Sequence, residues 1–230
     1  MPSGRGPHVA HDFTLSLSLM TTLGLFPLRI VLFPDAYYPL HVFEDRYKTL
    51  VHECLADGVE FGVNLVDEGT MYAIGCKARV ARVITAYDDG RIDIVVSGTN
   101  RFSARVYDAH THPYLSAQVD AYEDSDPLPD PDLLEETIGA YNRVMEMVYG
   151  EVESPLDPTE WVAGGAAFRM AQKSGLDLVT RQKLLTMQGE SERLSLLLGY
   201  FLDIEPKIVR AEMLQAIVRN NGYVQPDDAP

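Results

Sequence analysis

The chain has 230 residues, 46% hydrophobic and 23% charged, which suits a folded globular protein and argues against disorder. Its 34 acidic residues against 19 basic ones leave a formal charge of −15. So acidic a chain lacks the basic face that phosphate neutralisation needs, and it is repelled by anionic lipid. Nucleic acid and membrane are therefore not expected as partners.

Residues 13–33 form the most apolar early run, but Thr21, Thr22, Gly24, Pro27 and Arg29 interrupt it. A membrane span needs roughly 20 apolar residues, and no stretch supplies them. The start carries one Arg, at position 5, and no small-residue cleavage site, so no secretory signal is expected. Cys54 and Cys76 make no disulfide framework and read as two buried thiols of a cytoplasmic protein.

From Gly24 to Tyr122 the pattern is β. In 26–47, FPLRIVLFPDAYYPLHVFEDRY, strand-forming residues are broken by Pro27, Pro34 and Pro39, which suits short extended pieces and bends. Phe26, Phe33, Phe43 and Tyr47 are expected in the core. A helix then follows, with Tyr47, Leu50, Val51, Cys54 and Leu55 on one face and Gly58 to end it. Phe61–Val66 and Met71–Gly75 flank Asp67-Glu68-Gly69, and Ala78–Tyr87 and Arg91–Ser97 flank Asp88-Asp89-Gly90, so both pairs predict hairpins. Phe102–Tyr107 and Tyr114–Tyr122 predict two more strands. Many short strands with one helix suggest a partly closed barrel.

The acidic, proline-rich segment 123–131 reads as a linker, and everything after it as helix. Asp130-Pro131 opens a helix whose face is Leu134, Ile138, Tyr141, Met145 and Val148, closed by Gly150. Asp157-Pro-Thr-Glu160 opens a second through Trp161, Gly164, Gly165, Phe168 and Ala171. A third spans about 177–187, a fourth starts near Ser191, and Pro206 begins a fifth that ends near Gly222. Residues 120–160 hold 13 Asp or Glu and one basic residue, Arg143. That composition reads as a solvated face, with a surface for basic partners as the sharper alternative.

Catalytic motifs are missing. The dipeptide Gly-Lys of a phosphate loop does not occur, nor does Gly-x-Gly-x-x-Gly or Gly-x-Ser-x-Gly. His110-Thr-His112 has no HExxH or paired CxxC beside it, so no metal is assigned. Lys173-Ser174 precedes Gly175 at a predicted helix end, where capping explains it better than catalysis. No catalytic residue and no cofactor are assigned.

Several stretches, in order, resemble one family. These are Leu25-Phe-Pro-Leu28, Val31-Leu-Phe-Pro34, Pro39–Tyr47, Phe61-Gly-Val-Asn-Leu65, Ile74–Val80, Val96–Phe102, Arg181-Gln-Lys-Leu-Leu185 and Glu192-Arg-Leu194. Together they resemble the N-terminal domain of Lon proteases, above all the stand-alone bacterial version without ATPase or protease domains. The resemblance covers roughly 22–205; Met20 is a natural start in that family, so 1–19 read as an appended or misassigned start. It implies an α+β fold: a PUA-like mixed β pseudobarrel with one helix, followed by an all-α helical bundle. The expected boundaries are a disordered extension (1–21), the β domain (22–122), the linker (123–131), the bundle (132–222) and a flexible tail (223–230).

The resemblance also implies a non-enzymatic module that binds unfolded or exposed protein segments, or a peptide. The PUA-like fold occurs in RNA-binding modules too, but the −15 charge opposes that reading. Peptide binding is expected along Asp35, Tyr37, Tyr38, Pro39, His41, Glu44 and Arg46, with Arg101 anchoring a turn. A homodimer is left open. Two alternatives stand beside this reading: a residual or ATP-dependent peptidase-associated activity, and an adaptor that meets basic partners through 120–160.

Overall fold

The computed structural model describes residues 21–150 and 154–219. The expected extension and tail fall outside them, apart from Thr21. Seven strands come first, with one helix among them: β1 (Thr21–Leu28), β2 (Tyr37–Val42), α1 (Asp45–Asp57), β3 (Phe61–Asp67), β4 (Thr70–Met71), β5 (Ile74–Ala86), β6 (Ile92–Asp108) and β7 (Ser116–Ala121). Four helices follow: α2 (Pro131–Tyr149), α3 (Ala166–Ala171), α4 (Leu178–Thr186) and α5 (Glu190–Arg219). Among the described residues no helix is long and apolar enough to cross a membrane.

The sheet runs β1-β7-β6-β5-β3-β4, and β1 also pairs with β3, which closes the ring. β1 does this by changing partner midway. Thr21–Gly24 lie antiparallel to β7, and Leu25–Leu28 parallel to β3. Each half of β1 thus needs one ladder only, which leaves room for Pro27 and its missing N–H. β2 attaches outside the ring, on β6 alone. Helix α1 packs Tyr47, Leu50, Val51 and Cys54 into the core, where Tyr47 stacks on Phe26 at 4.1 Å. Gly58 ends α1 in the left-handed conformation, as the sequence predicts.

Two expected strands prove to be one. β6 runs unbroken for 17 residues through Ser97-Gly98-Thr99-Asn100, a stretch with the composition of a turn. Gly98 has another purpose there: a Cβ built on it would lie 2.1 Å from the Phe33 carbonyl oxygen. The backbone of the 33–36 turn presses against β6 at that point. β5 likewise begins at Ile74, earlier than expected, and β4 is reduced to Thr70–Met71.

The helical half holds further corrections. The helix expected from 157 to 171 is broken into a short 3-10 turn, Pro158–Trp161, and α3. Gly164 and Gly165 take φ of +97° and +89° between them, which no helix continues through. Gly164 admits a close neighbour, as its type suggests, but that neighbour is the Pro127 carbonyl, 2.4 Å from a built Cβ. Helix α5 continues through Pro206 instead of restarting there. The carbonyl that Pro206 leaves without a donor belongs to Leu202, 51% exposed, where water can serve it. Phe43, Leu55 and Val148 are 59%, 40% and 50% exposed, not core. Asp130, Asp157 and Asp177 cap their helices with side-chain carboxylates.

One apolar cluster joins both halves. It runs from Phe26, Val63 and Ile94 through Phe33 to Phe168, Leu185 and Phe201. Because Gly98 sets the contact of the 33–36 turn with β6, Gly98→Ala is expected to destabilise the fold by about 3 kcal/mol through overpacking. Urea unfolding measures this; a loss near zero would show that the turn gives way freely.

Candidate functional site

The segment after β1 turns away from the barrel and inserts Val31, Leu32 and Phe33 into the core. Phe33 stacks on Phe168 of α3 at 5.5 Å. Arg181 of α4 lies over the Phe33 ring, 4.9 Å from its centroid, and donates to the carbonyls of Ala171 (2.9 Å) and Val31 (3.3 Å). The chain then reverses at Asp35, whose φ is +58°. Asp35 N–H donates to the Gly98 carbonyl (3.1 Å), and Gly98 N–H to that of Ala36 (2.8 Å). Tyr37 emerges from this turn 71% exposed.

Beside the turn lies an open cleft of about 860 Å³. Pro34, Asp35 and Tyr37 line one side, Lys77 and Arg79 of β5 and 97–101 of β6 the next, and Tyr122–Asp124 with Phe168 the back. The back is a charge network. Arg101, 4% exposed at its side chain, donates to the carbonyls of Leu185 (2.7 Å) and Met187 (2.6 Å) and to Asp124. Arg193 of α5 donates to both Asp124 oxygens and to Glu190 Oε2 (2.7 Å). Glu190, fully buried, also accepts the Ala167 N–H at 3.0 Å. The Arg193 guanidinium lies 4.3 Å over Phe168, and that of Arg101 is 5.0 Å from the Tyr122 ring. Burial opposes the charge on Asp124, but hydrogen bonds and attraction from Arg193 and Arg101 outweigh it and hold its carboxyl below the usual range.

Arg101 therefore does more than anchor a turn: it bridges β6 to the end of α4 and the segment that follows it. The acidic 123–131 segment is correspondingly no free linker. Ser125 and Asp126 N–H donate to the Gln188 carbonyl (3.0 and 3.1 Å), and Glu190 N–H returns to that of Asp126 (2.9 Å).

Of the expected site residues, Asp35, Tyr37 and Arg101 meet at the cleft. Tyr38, Pro39 and His41 continue along β2, away from it. His41 pairs with Asp93 across the ladder, four residues beyond the Tyr37–Ser97 pair, roughly 13 Å further along the strand. Its Nδ1 lies 2.5 Å from Asp93 Oδ1, while the Tyr87 hydroxyl donates to Asp93 Oδ2 at 2.7 Å. Glu44 and Arg46 form an exposed pair (2.7 Å) beyond the end of β2. Lys77, Arg79, Tyr122 and Phe168 were missed, since no local pattern marks them as neighbours.

The remaining candidates for chemistry are occupied structurally. Burial pushes the Cys54 thiol up to about 11 and Cys76 up to about 12, far from a reactive thiolate. Ser174 donates to the Met170 carbonyl (2.5 Å) at the end of α3, the capping role expected of it. His112 stacks on Tyr114 at 5.0 Å, and the hydroxyl of Tyr114 donates to Glu53 (2.5 Å).

The family model for the substrate-binding domain of ATP-dependent protease La (Lon) matches residues 22–203. The chain belongs to this Lon substrate-binding family. A solved Lon N-terminal domain protein from Xanthomonas campestris is 28% identical, with a TM-score of 0.62 over 79% of this chain and 99% of that one. The N-terminal domain of a Mycobacterium avium complex Lon protease, 14% identical, shares the fold at a TM-score of 0.59, over 80% of this chain and 99% of that one. The Lon-type barrel with its helical bundle is thus the architecture that the ordered motifs imply.

His41 and Tyr87 both hold Asp93 in its charged form, so its carboxyl titrates below the usual range, His41 having the larger effect. A depressed folded value favours the fold above the unfolded carboxyl's pKa, and that contribution disappears as pH falls through Asp93's own folded value. Carboxyl NMR titration should show the low midpoint, and His41→Ala should raise it. An unmoved midpoint would contradict the pairing.

Proposed function

We propose that this Lon-type domain is a non-enzymatic module that holds exposed or unfolded protein segments, with the cleft beside Tyr37 as their seat. The family supports substrate binding as such. The location rests on one observation: a wide cleft opens beside an aromatic side chain that is 71% exposed at the end of an edge strand. Exposed tyrosines supply large contact area at low entropic cost and recur as binding hot spots. β2 pairs with β6 alone, so its outer edge can accept an extended segment as a further strand, with Pro39 lacking a donor midway. Asp35 and Arg101 belong to the same seat; His41 extends it only along β2, and Glu44 and Arg46 only beyond that strand's end. The rigid back wall favours binding because little ordering remains to be done when a segment arrives.

The adaptor alternative loses part of its support, since Asp124 of the acidic region is already matched by two arginines. The remaining acids stay available to it. The peptidase alternative has no nucleophile–base pair to act through among the residues described above.

Fluorescence anisotropy with labelled, unfolded casein tests the proposal. Tyr37→Ala is expected to weaken binding about tenfold, the effect of losing roughly 1.4 kcal/mol at an interface contact that carries part of the binding energy. Its unfolding midpoint should stay unchanged. Equal affinity of the variant would remove the cleft as the seat. Casein cleavage that a single substitution in this chain abolishes would overturn the non-enzymatic reading.

A further inference from the structure

A second pocket, of about 330 Å³, lies between α2, residues 154–156 and α3, and shares no lining residue with the cleft. Its apolar side is built from Met145, 5% exposed, and Leu156, which packs on the core. Asn142 fixes the wall opposite α3. Its amide donates to the Leu156 carbonyl (2.9 Å) and its carbonyl accepts the Leu156 N–H (3.0 Å). At the mouth stand Arg169 and Lys173, one turn apart and both exposed. Neither side chain has a hydrogen-bond or ion-pair partner among the described residues. No described carboxylate lines the pocket, although the chain carries 34 acids. Most exposed cations elsewhere in the described chain sit beside an acid: Arg29 by Asp67, Arg105 by Asp120, Arg143 by Glu205.

A further donor belongs to the same pocket. Tyr141 is only 7% exposed, its ring edge-on to Phe201 at 5.6 Å, yet its hydroxyl has no partner among the described residues. Burial raises its pKa and the nearby Arg169 charge opposes that, so the phenol remains a protonated donor within reach of the guanidinium's field. Two unpaired cations, one hydroxyl donor without a partner among the described residues and an apolar wall together describe the complement of an anion attached to an apolar body.

We propose that this pocket binds an apolar carboxylate. Arg169 and Lys173 hold the anion, the Tyr141 hydroxyl donates to it, and Met145 and Leu156 receive the apolar body. The volume falls in the small-ligand range, about 300–1,000 Å³. The anion has two natural sources: a free organic acid, or the C-terminal carboxylate of a polypeptide ending in an apolar residue. Nothing in the cleft proposal is needed for this site.

Calorimetric titration with phenylacetate, and with a short peptide ending in leucine as the free acid, tests the assignment. Each is compared with its amide. The acids are expected to bind at least about tenfold more tightly than the amides, as loss of a charge-assisted contact implies. The tighter of the two acids identifies the source. Arg169→Gln and Lys173→Gln should each abolish the preference for acid over amide without moving the unfolding midpoint. Tyr141→Phe, which keeps the ring, should weaken acid binding at least about tenfold, the low end for losing one hydrogen bond to a charge. Equal binding of acid and amide, or no binding of either acid at millimolar concentration, would overturn the proposal. So would a large gain in affinity in an E151Q/E153Q chain, since it would show the two cations to be served by the chain's own acids.

Discussion

Asp124 stands between two arginines that have left water, and the rest of the molecule is arranged around that fact. Arg101 comes from the barrel and Arg193 from the last helix; their side chains are 4% and 1% exposed. Neither could stay charged and buried without an acid, and desolvated charges of this kind cost several kcal/mol when left uncompensated. Asp124 answers both arginines, and Glu190 helps answer Arg193. The segment that carries Asp124 must then cross the junction at one place. The parallel bridge between Asp126 and Gly189 and the Gln188 contacts follow from that placement.

The same network makes the cleft a fixed feature. Its back wall is Tyr122, Asp124 and Phe168, and both arginines lie over the aromatic ring of Phe168. Phe33 packs on that ring from the barrel side and in turn sets the 33–36 turn against Gly98. A chain of packed rings and matched charges thus runs from α5 to the turn that presents Tyr37. The seat proposed above relies on this support, since a site gains precision when the residues behind it are held by packing.

Much of this was legible in the sequence where the cause is local. The Asp-Gly turn at Asp89-Gly90, the caps at Asp130, Asp157 and Asp177, and the helix stop at Gly58 depend on residues within a few positions of each other. The ordered motifs also identified the family, and three of them contain the arginines that hold the halves together: Arg101, Arg181 and Arg193. What no local pattern could supply was their partners, such as Leu185, 84 positions from Arg101. Turn-like composition misled at Ser97–Asn100, because Gly98 is there for a backbone contact and not for a bend. Pro206 misled in the opposite sense: an exposed helix tolerates a lost hydrogen bond that a buried one would not. Segment 123–131 looked like a solvated linker because its acids are plentiful, and the two that are paired or bridged are not distinguishable from the others by composition.

The central claim is that Asp124 binds the barrel to the helices by compensating two buried cations. Urea unfolding of Asp124→Asn, nearly identical in shape but uncharged, tests it most directly. A loss of about 3 kcal/mol is expected, the scale for removing one partner of a buried charge network. A loss below about 1 kcal/mol, the scale of an exposed ion pair, would contradict it.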